Sequence, residues 1–389
     1  MGQEKAVEVL RRAAESQPGH SHAMSHAWLI TGPPGSGRSN AAKAFAAALQ
    51  CDDHGCGQCN SCRTTLSGAH PDVTLVRTEA LSIGVDEVRE LVRRAAMNPV
   101  HGRHQVVVVE DADRITERGA DALLKAIEEP APKTVWLLCA PTPDDVIVTI
   151  RSRCRRLHLA TPRDEAVAEL LIRRDGISPE MAAEAARAGQ GHIGRARHLA
   201  RDGEARARRD AIGELPTRLR SLGDCLQAAE DLVNQASEEA AAATAEVDAA
   251  ERAELEKALG FGSSGARPRN AQAALRDLEK QQAARAKRLQ RDALDRVLTE
   301  LTAYHRDVLA IQTGAVRPDE ENALRGARLV NTGWSSSLHQ VAQSQSPERT
   351  ISVIDAILDA RNSLERGVTP LLVMETLLIA MTGVDRAPW

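Results

Sequence analysis

Four cysteines stand within twelve residues, in the pattern Cys51-x4-Cys56-x2-Cys59-x2-Cys62. Two consecutive C-x2-C steps make a tight turn on which the four sulfurs can converge. Four thiolates suit tetrahedral Zn²⁺ and leave no coordination position open, so such a site is structural. A [4Fe–4S] cluster is the chemical competitor, because it too is held by four thiolates. Cys139, Cys154 and Cys225 read instead as small buried hydrophobes. An odd total of seven, with four crowded together, fits a reducing cytoplasm and a metal better than a disulfide framework.

A second group of residues could hold phosphate. Gly32-Pro-Pro-Gly35-Ser36-Gly37-Arg38-Ser39 follows an apolar run, Ala27–Thr31, and opens a helical pattern from about Ser39 to Leu49. In that context G-x-x-x-x-G-K-[ST] is a P-loop. Its glycines let backbone N–H groups face phosphate oxygens, and the helix N-terminus adds its positive end. Ser39 occupies the position whose hydroxyl would hold Mg²⁺. Arg38 replaces the lysine, and a planar guanidinium is not a substitute for a compact ammonium. The expectation is weak ATP/Mg²⁺ contact at most, through Gly32, Gly35, Gly37, Arg38 and Ser39, with little or no hydrolysis by this chain. A Gly-rich strand–helix turn without ligand is the plainer alternative.

Four valines, Val106–Val109, lead into Glu110-Asp111-Ala112-Asp113. Acids at the end of a buried strand, downstream of a P-loop, are the Walker B arrangement. The first, Glu110, would assist Mg²⁺, and the second, Asp111, would polarise water. Asp111 is shorter than a glutamate there and reaches less far. The competing reading is an acidic strand–helix turn in which Asp113 caps the next helix.

These groups need a frame. Ala27–Thr31, Val73–Val76, Val106–Val109, Val135–Cys139 and Leu157–Leu159 read as strands, and the valine run is that of a central strand buried on both faces. Val85–Ala96 and Glu117–Glu128 have helical periodicity. Such alternation predicts an α/β doubly wound parallel sheet. From Thr161 the strand signals vanish. Short helices over Arg163–Asp175 and Glu180–Ala188 and a Gly-rich turn at Gly189–Gly194 form a small helical lid, and everything after about Gly203 reads as helix. The expected division is a P-loop core over 1–161 with the zinc module at 51–62, a helical lid over 162–202 and an all-helical collar over 203–389. Within the collar, residues 238–257 are Ala-rich and acidic, whereas 276–291 carry Arg276, Lys280, Arg285, Lys287, Arg288 and Arg291. With Gly260–Pro268 between them, they predict a helical hairpin over about 238–291 whose arms pair by charge, or two solvated helices with a flexible tip.

Composition excludes several classes of function. The chain has 389 residues, enough for about two to four domains. Lys plus Arg is 50 against 54 Asp plus Glu, a formal charge of −4, so any nucleic-acid contact is a local patch. Aromatic residues are 2 % of the chain, too few for a base-stacking platform. No apolar run reaches the ~18 residues of a membrane span, and the charged N-terminus is not a signal peptide.

The combination of motifs resembles the bacterial clamp-loader AAA+ subunits of DNA polymerase III. The resemblance rests on the P-loop, the Cys₄ insertion directly after its helix, Gly68-Ala-His70-Pro71-Asp72, Gly84-Val85-Asp86-x2-Arg89, Ala122-Leu-Leu-Lys125-Ala-Ile-Glu128-Glu129-Pro130 and Ser152-Arg153-Cys154. Gly2-Gln3 is similar to the family's opening. Residues 1 to about 200 carry the likeness, and the helical remainder shares only the architecture.

Within the family, three departures separate the chain from the tau/gamma motor pattern: Arg38, Ala140 at the sensor-1 threonine (Thr142 lies nearby), and Gly194 near the sensor-2 arginine, beside Arg195 and Arg197. They favour the delta-prime branch. That likeness implies a three-domain, C-shaped stator that packs with tau/gamma and delta subunits into a hetero-pentamer, which loads the sliding clamp on primed DNA. It also implies that Arg153 acts in trans as an arginine finger on a neighbour's ATP; a solvated face, in a run containing Arg151, Arg155 and Arg156, is the plainer alternative. The helical hairpin is outside the family pattern. The alternatives are a tau/gamma-type ATPase subunit and a zinc-stabilised nucleic-acid-binding protein.

Overall fold

The computed structural model describes residues 2–16, 24–78, 82–259, 271–316 and 329–382. The turn expected at Gly260–Pro268 lies outside these residues. The chain divides into two compact units, Met1–Arg201 and Asp202–Trp389.

The first unit contains, in chain order, α1 (Glu4–Glu15), β1 (Ala27–Thr31), α2 (Arg38–Gln50), α3 (Asn60–Ser67), β2 (Val73–Val76), α4 (Val85–Ala95), β3 (Gln105–Val109), α5 (Glu117–Glu128), β4 (Thr134–Ala140), α6 (Val148–Arg151), β5 (Arg155–His158), α7 (Asp164–Asp175), α8 (Pro179–Gly189) and α9 (Ile193–Arg201). The strands form one five-stranded sheet in the order β2-β3-β4-β1-β5, and every pairing is parallel. β1, β3 and β4 are buried throughout, as runs of apolar residues require when helices cover both faces.

Period-two alternation sorts the side chains into two cores. Leu29, Val107, Val109, Trp136 and Leu138 pack with α4 and α5 on one face. Trp28, Ile30, Val106, Val108 and Leu137 pack with α1 and α2 on the other. The C-terminal ends of β1, β3 and β4 therefore lie side by side, where open α/β sheets bind ligands.

Two local expectations are corrected. The last strand is Arg155–His158, not Leu157–Leu159. It lies at the sheet edge, where only Leu157 is buried and Arg155 stacks 4.8 Å over Trp28, so it carries little apolar signal. Asp113 does not cap the following helix: it sits inside a 3-10 turn, and Thr116 Oγ1 accepts the N–H of Gly119 at the start of α5. An exposed clasp ties the N-terminus to the segment after β5, with Gln3 Nε2 donating to the Ala160 carbonyl at 2.7 Å and Ala160 N–H donating to Gln3 Oε1 at 3.1 Å.

The second unit is helical over its described residues: α10 (Gly203–Arg218), α11 (Leu222–Ala258), α12 (Ala271–Gln312), α13 (Ser335–Ser344), α14 (Pro347–Glu365) and α15 (Pro370–Thr382). Its core joins Cys225, Ala229 and Leu232 of α11 to Leu294, Leu298 and Leu301 of α12 and to Ile357, Met374 and Leu378. α11 and α12 extend beyond that core as the two arms of the hairpin. Across the arms Arg285 meets Asp248 at 2.8 Å and Glu251 at 2.7 Å, and Arg296 meets Glu239. The arms thus pair by charge, and the hairpin is a continuation of two core helices.

Candidate functional site

The cysteine cluster hangs between α2 and α3. Cys51 follows the last residue of α2, and Cys59 caps α3 by accepting the Cys62 N–H. The four sulfurs all lie within 4.8 Å of one another, and Cys51 Sγ is 3.7 Å from both Cys56 Sγ and Cys59 Sγ. A tetrahedron of ~2.3 Å metal–sulfur bonds spaces its sulfurs about 3.8 Å apart. The donor set therefore fits one tetrahedral ion. Burial alone would raise the Cys51 thiol, but hydrogen bonds with the backbone of Cys56, Gly55 and Asp53 outweigh it and hold it at about 6. Arg103 donates to the Cys51 carbonyl, and Gln50 Oε1 accepts Arg103 N–H at 3.0 Å, so the loop before β3 braces the module. The same loop is fixed from beneath by buried Asp72, whose carboxylate accepts the N–H groups of Val100, His101 and Gly102 at 2.6–2.8 Å. His70-Pro71-Asp72 is thus a structural knot.

The phosphate loop has the expected frame. Gly35 and Gly37 adopt φ of +79° and +93°, which favours glycine. A Cβ on Gly35 would stand 2.2 Å from the His192 ring, so the turn ahead of α9 presses directly on the loop. Burial, and after it the charges of Arg195 and Arg38, lower the pKa of His192, and its Nδ1 accepts the Arg195 N–H at 3.1 Å.

The charges of this site have internal partners. Arg38 Nη1 donates to the Gly32 carbonyl at 2.6 Å, folding the guanidinium back onto its own loop. Lys43, one helical turn beyond Ser39, places its ammonium 2.7 Å from Glu110 Oε1. Sequence reasoning missed Lys43; its spacing from Ser39 on one face of α2 was the available signal. The residues present therefore fit Mg–nucleotide poorly: the acid at the metal position already holds a cation, and Arg38 is engaged by a carbonyl. At the positions expected for the two sensors, Ala140 ends β4, Thr142 N–H donates to Asp145, and Arg197 pairs with Asp175 at 2.9 Å.

Arg153 stands in the turn just after α6, with its side chain 41% exposed. Its Nη1 donates to the Thr149 carbonyl at 2.9 Å and to Ser152 Oγ at 3.2 Å, and its Nη2 lies 2.6 Å from Glu128 Oε1. The neighbouring arginines are engaged differently, Arg151 with Asp144 and Arg155 on Trp28. Glu128 is a second residue that sequence reasoning did not connect with Arg153.

A parallel sheet with a glycine-rich phosphate-type loop after β1, acids after β3 and a small helical module after β5 is the arrangement of a P-loop type of fold. Residues 2–163 match the protein family described as "DNA polymerase III, delta subunit". DNA polymerase III subunit delta' of Haemophilus influenzae is 36% identical over 156 residues, 39% of this chain and 48% of that one. The Escherichia coli subunit delta' is 34% identical over 189 residues, 47% and 56% of the two chains. The gamma/tau subunit of Mycobacterium tuberculosis is 34% identical over 180 residues, covering 40% of this chain and 31% of that one. Among solved structures, a gamma subunit-related protein of Thermotoga maritima aligns with a TM-score of 0.42 at 17% identity, over 98% of this chain and 100% of that one. The chain is thus similar to clamp-loader subunits of DNA polymerase III, with the family match confined to residues 2–163 of its first unit. It spans about half the length of the delta' relatives it matches.

Proposed function

We propose that this chain is a stator subunit of the delta-prime type in a clamp loader, which hydrolyses little or no ATP itself and lends Arg153 to nucleotide bound by a neighbouring subunit. One contrast carries the reading. At the P-loop, Arg38 and Lys43 are held by the chain's own Gly32 and Glu110. In the turn after α6, Arg153 is half-exposed on an ion pair of the weak, solvent-screened kind. Phosphoryl transfer builds charge on the γ-phosphate oxygens, and a guanidinium from next door stabilises it, typically by about 10³–10⁵ in turnover. The planar fork meets phosphate oxygens at fixed geometry and never loses its proton.

In this reading the P-loop core (1–161) and lid (162–202) present the finger. The collar (203–389) assembles with tau/gamma-type motor subunits and a delta subunit into a hetero-pentamer that places the sliding clamp on primed DNA. Cys51, Cys56, Cys59 and Cys62 hold one Zn²⁺, which is structural because all four positions are filled by protein. Mixing the chain with motor and delta subunits and measuring the particle mass tests the assignment. One copy in a five-subunit particle is expected, and failure to join overturns it. The similarity to gamma/tau subunits favours a second reading, a motor ATPase. It predicts that the isolated chain turns over ATP at about 1 s⁻¹ or faster, the low end of ordinary enzyme rates.

A further inference from the structure

Arg153 is held on three sides. Its backbone N–H donates to the Ile150 carbonyl at 3.0 Å, and the next residue, Cys154, is buried in the sheet-face core, so its Cα is anchored. Both Nη1 protons have acceptors, Thr149 O and Ser152 Oγ, and Nη2 faces Glu128. The Nε–H has no acceptor among the described residues, and the side chain remains 41% exposed. Glu128 itself is the last residue of α5, immediately before a C-cap and Pro130, so its own backbone is fixed. A rigid helix end thus meets a rigid turn, and the guanidinium between them keeps donors turned to solvent. An arginine of a solvated face would lose side-chain entropy in such a cradle for little return.

We propose that Glu128 is a positioning residue for Arg153: it holds one edge of the guanidinium while the free donors meet the phosphate of the neighbouring subunit. This rests on the finger reading given above. The charge of the carboxylate fixes orientation without consuming the whole fork, and a phosphate group carries enough charge to bind the remaining N–H donors. Glu128 touches neither nucleotide nor reacting atoms, and acts only through Arg153.

The test uses the complete reconstituted loader with clamp and primed DNA, and four versions of this subunit: wild type, Glu128→Ala, Arg153→Ala and the double variant. The finger-dependent turnover is the difference between wild type and Arg153→Ala. Glu128→Ala should lower that share about 2–5-fold, the scale of one half-exposed charge contact, with KM for ATP and particle mass unchanged. In the Arg153→Ala background it should cost nothing further, and Glu128→Gln, which keeps an acceptor oxygen but no charge, should recover little of the loss. Wild-type turnover in Glu128→Ala, alongside an impaired Arg153→Ala, would overturn the positioning role and leave the finger standing. An equal loss with and without Arg153 would also overturn it, because Glu128 would then act on the fold. Wild-type turnover in Arg153→Ala would remove the finger reading itself.

Discussion

Arg38 differs from a lysine in where its charge can go. An ammonium at that position is a point donor beside the phosphates, whereas the longer guanidinium reaches back 2.6 Å to the carbonyl of Gly32. Restoring the lysine alone should not make an ATPase, because Lys43 still neutralises Glu110. Arg38→Lys is expected to leave the isolated chain below about 1 s⁻¹ in a phosphate-release assay, and a rate at or above that value would show that Arg38 is the whole defect. The replacement at Arg38 was legible in the sequence as a departure from a spaced motif. The pairing of Lys43 with Glu110, and of Arg153 with Glu128, was not, because each joins residues on separate elements and no local spacing encodes it.

Elements, too, differ in how much they announce themselves. The valine strand and the acidic and basic hairpin arms were readable because burial and charge repeat along them, whereas edge strand β5 was displaced by its exposed arginines. The role of Asp72 came only with the fold. Burial opposes its ionisation, but the N–H groups of Val100, Gly102 and His101 outweigh it and lower its pKa below 3.8. A carboxyl depressed in the folded state adds stability above its unfolded pKa and loses it as pH falls through the folded value. Asp72→Asn should therefore lower the stability of the first unit at pH 7 by about 1–3 kcal/mol, and the gap to wild type should shrink as pH falls below 3.8. A gap independent of pH would contradict this account. The cysteine module makes a second prediction at this scale. Cys59→Ser should remove the bound zinc, measured by elemental analysis, and lower stability without changing the kind of ATP chemistry. Wild-type protein with iron, or with no metal, would exclude zinc.

At the scale of the whole molecule, the first unit was readable and the second largely was not. P-loop, strand-end acids, cysteines and Ser152-Arg153-Cys154 each demand residue types at fixed spacings, so the order of elements followed. The helical unit is specified by packing, and its polar core was invisible in one dimension: Arg209 reaches Glu300 at 3.2 Å, and Asp307 accepts the Val330 and Asn331 N–H groups. Its charge pattern gave the hairpin but no partner. The central claim, that a subunit closed to its own nucleotide acts on a neighbour's, is a property of the assembly and is tested there. The most direct measurement is the DNA- and clamp-stimulated ATPase of the reconstituted loader carrying Arg153→Ala in this subunit, with Arg151→Ala as the control. The account predicts an intact particle whose turnover falls by up to one site's share for Arg153→Ala and much less for Arg151→Ala. Unchanged ATPase and wild-type clamp loading with Arg153→Ala would contradict it.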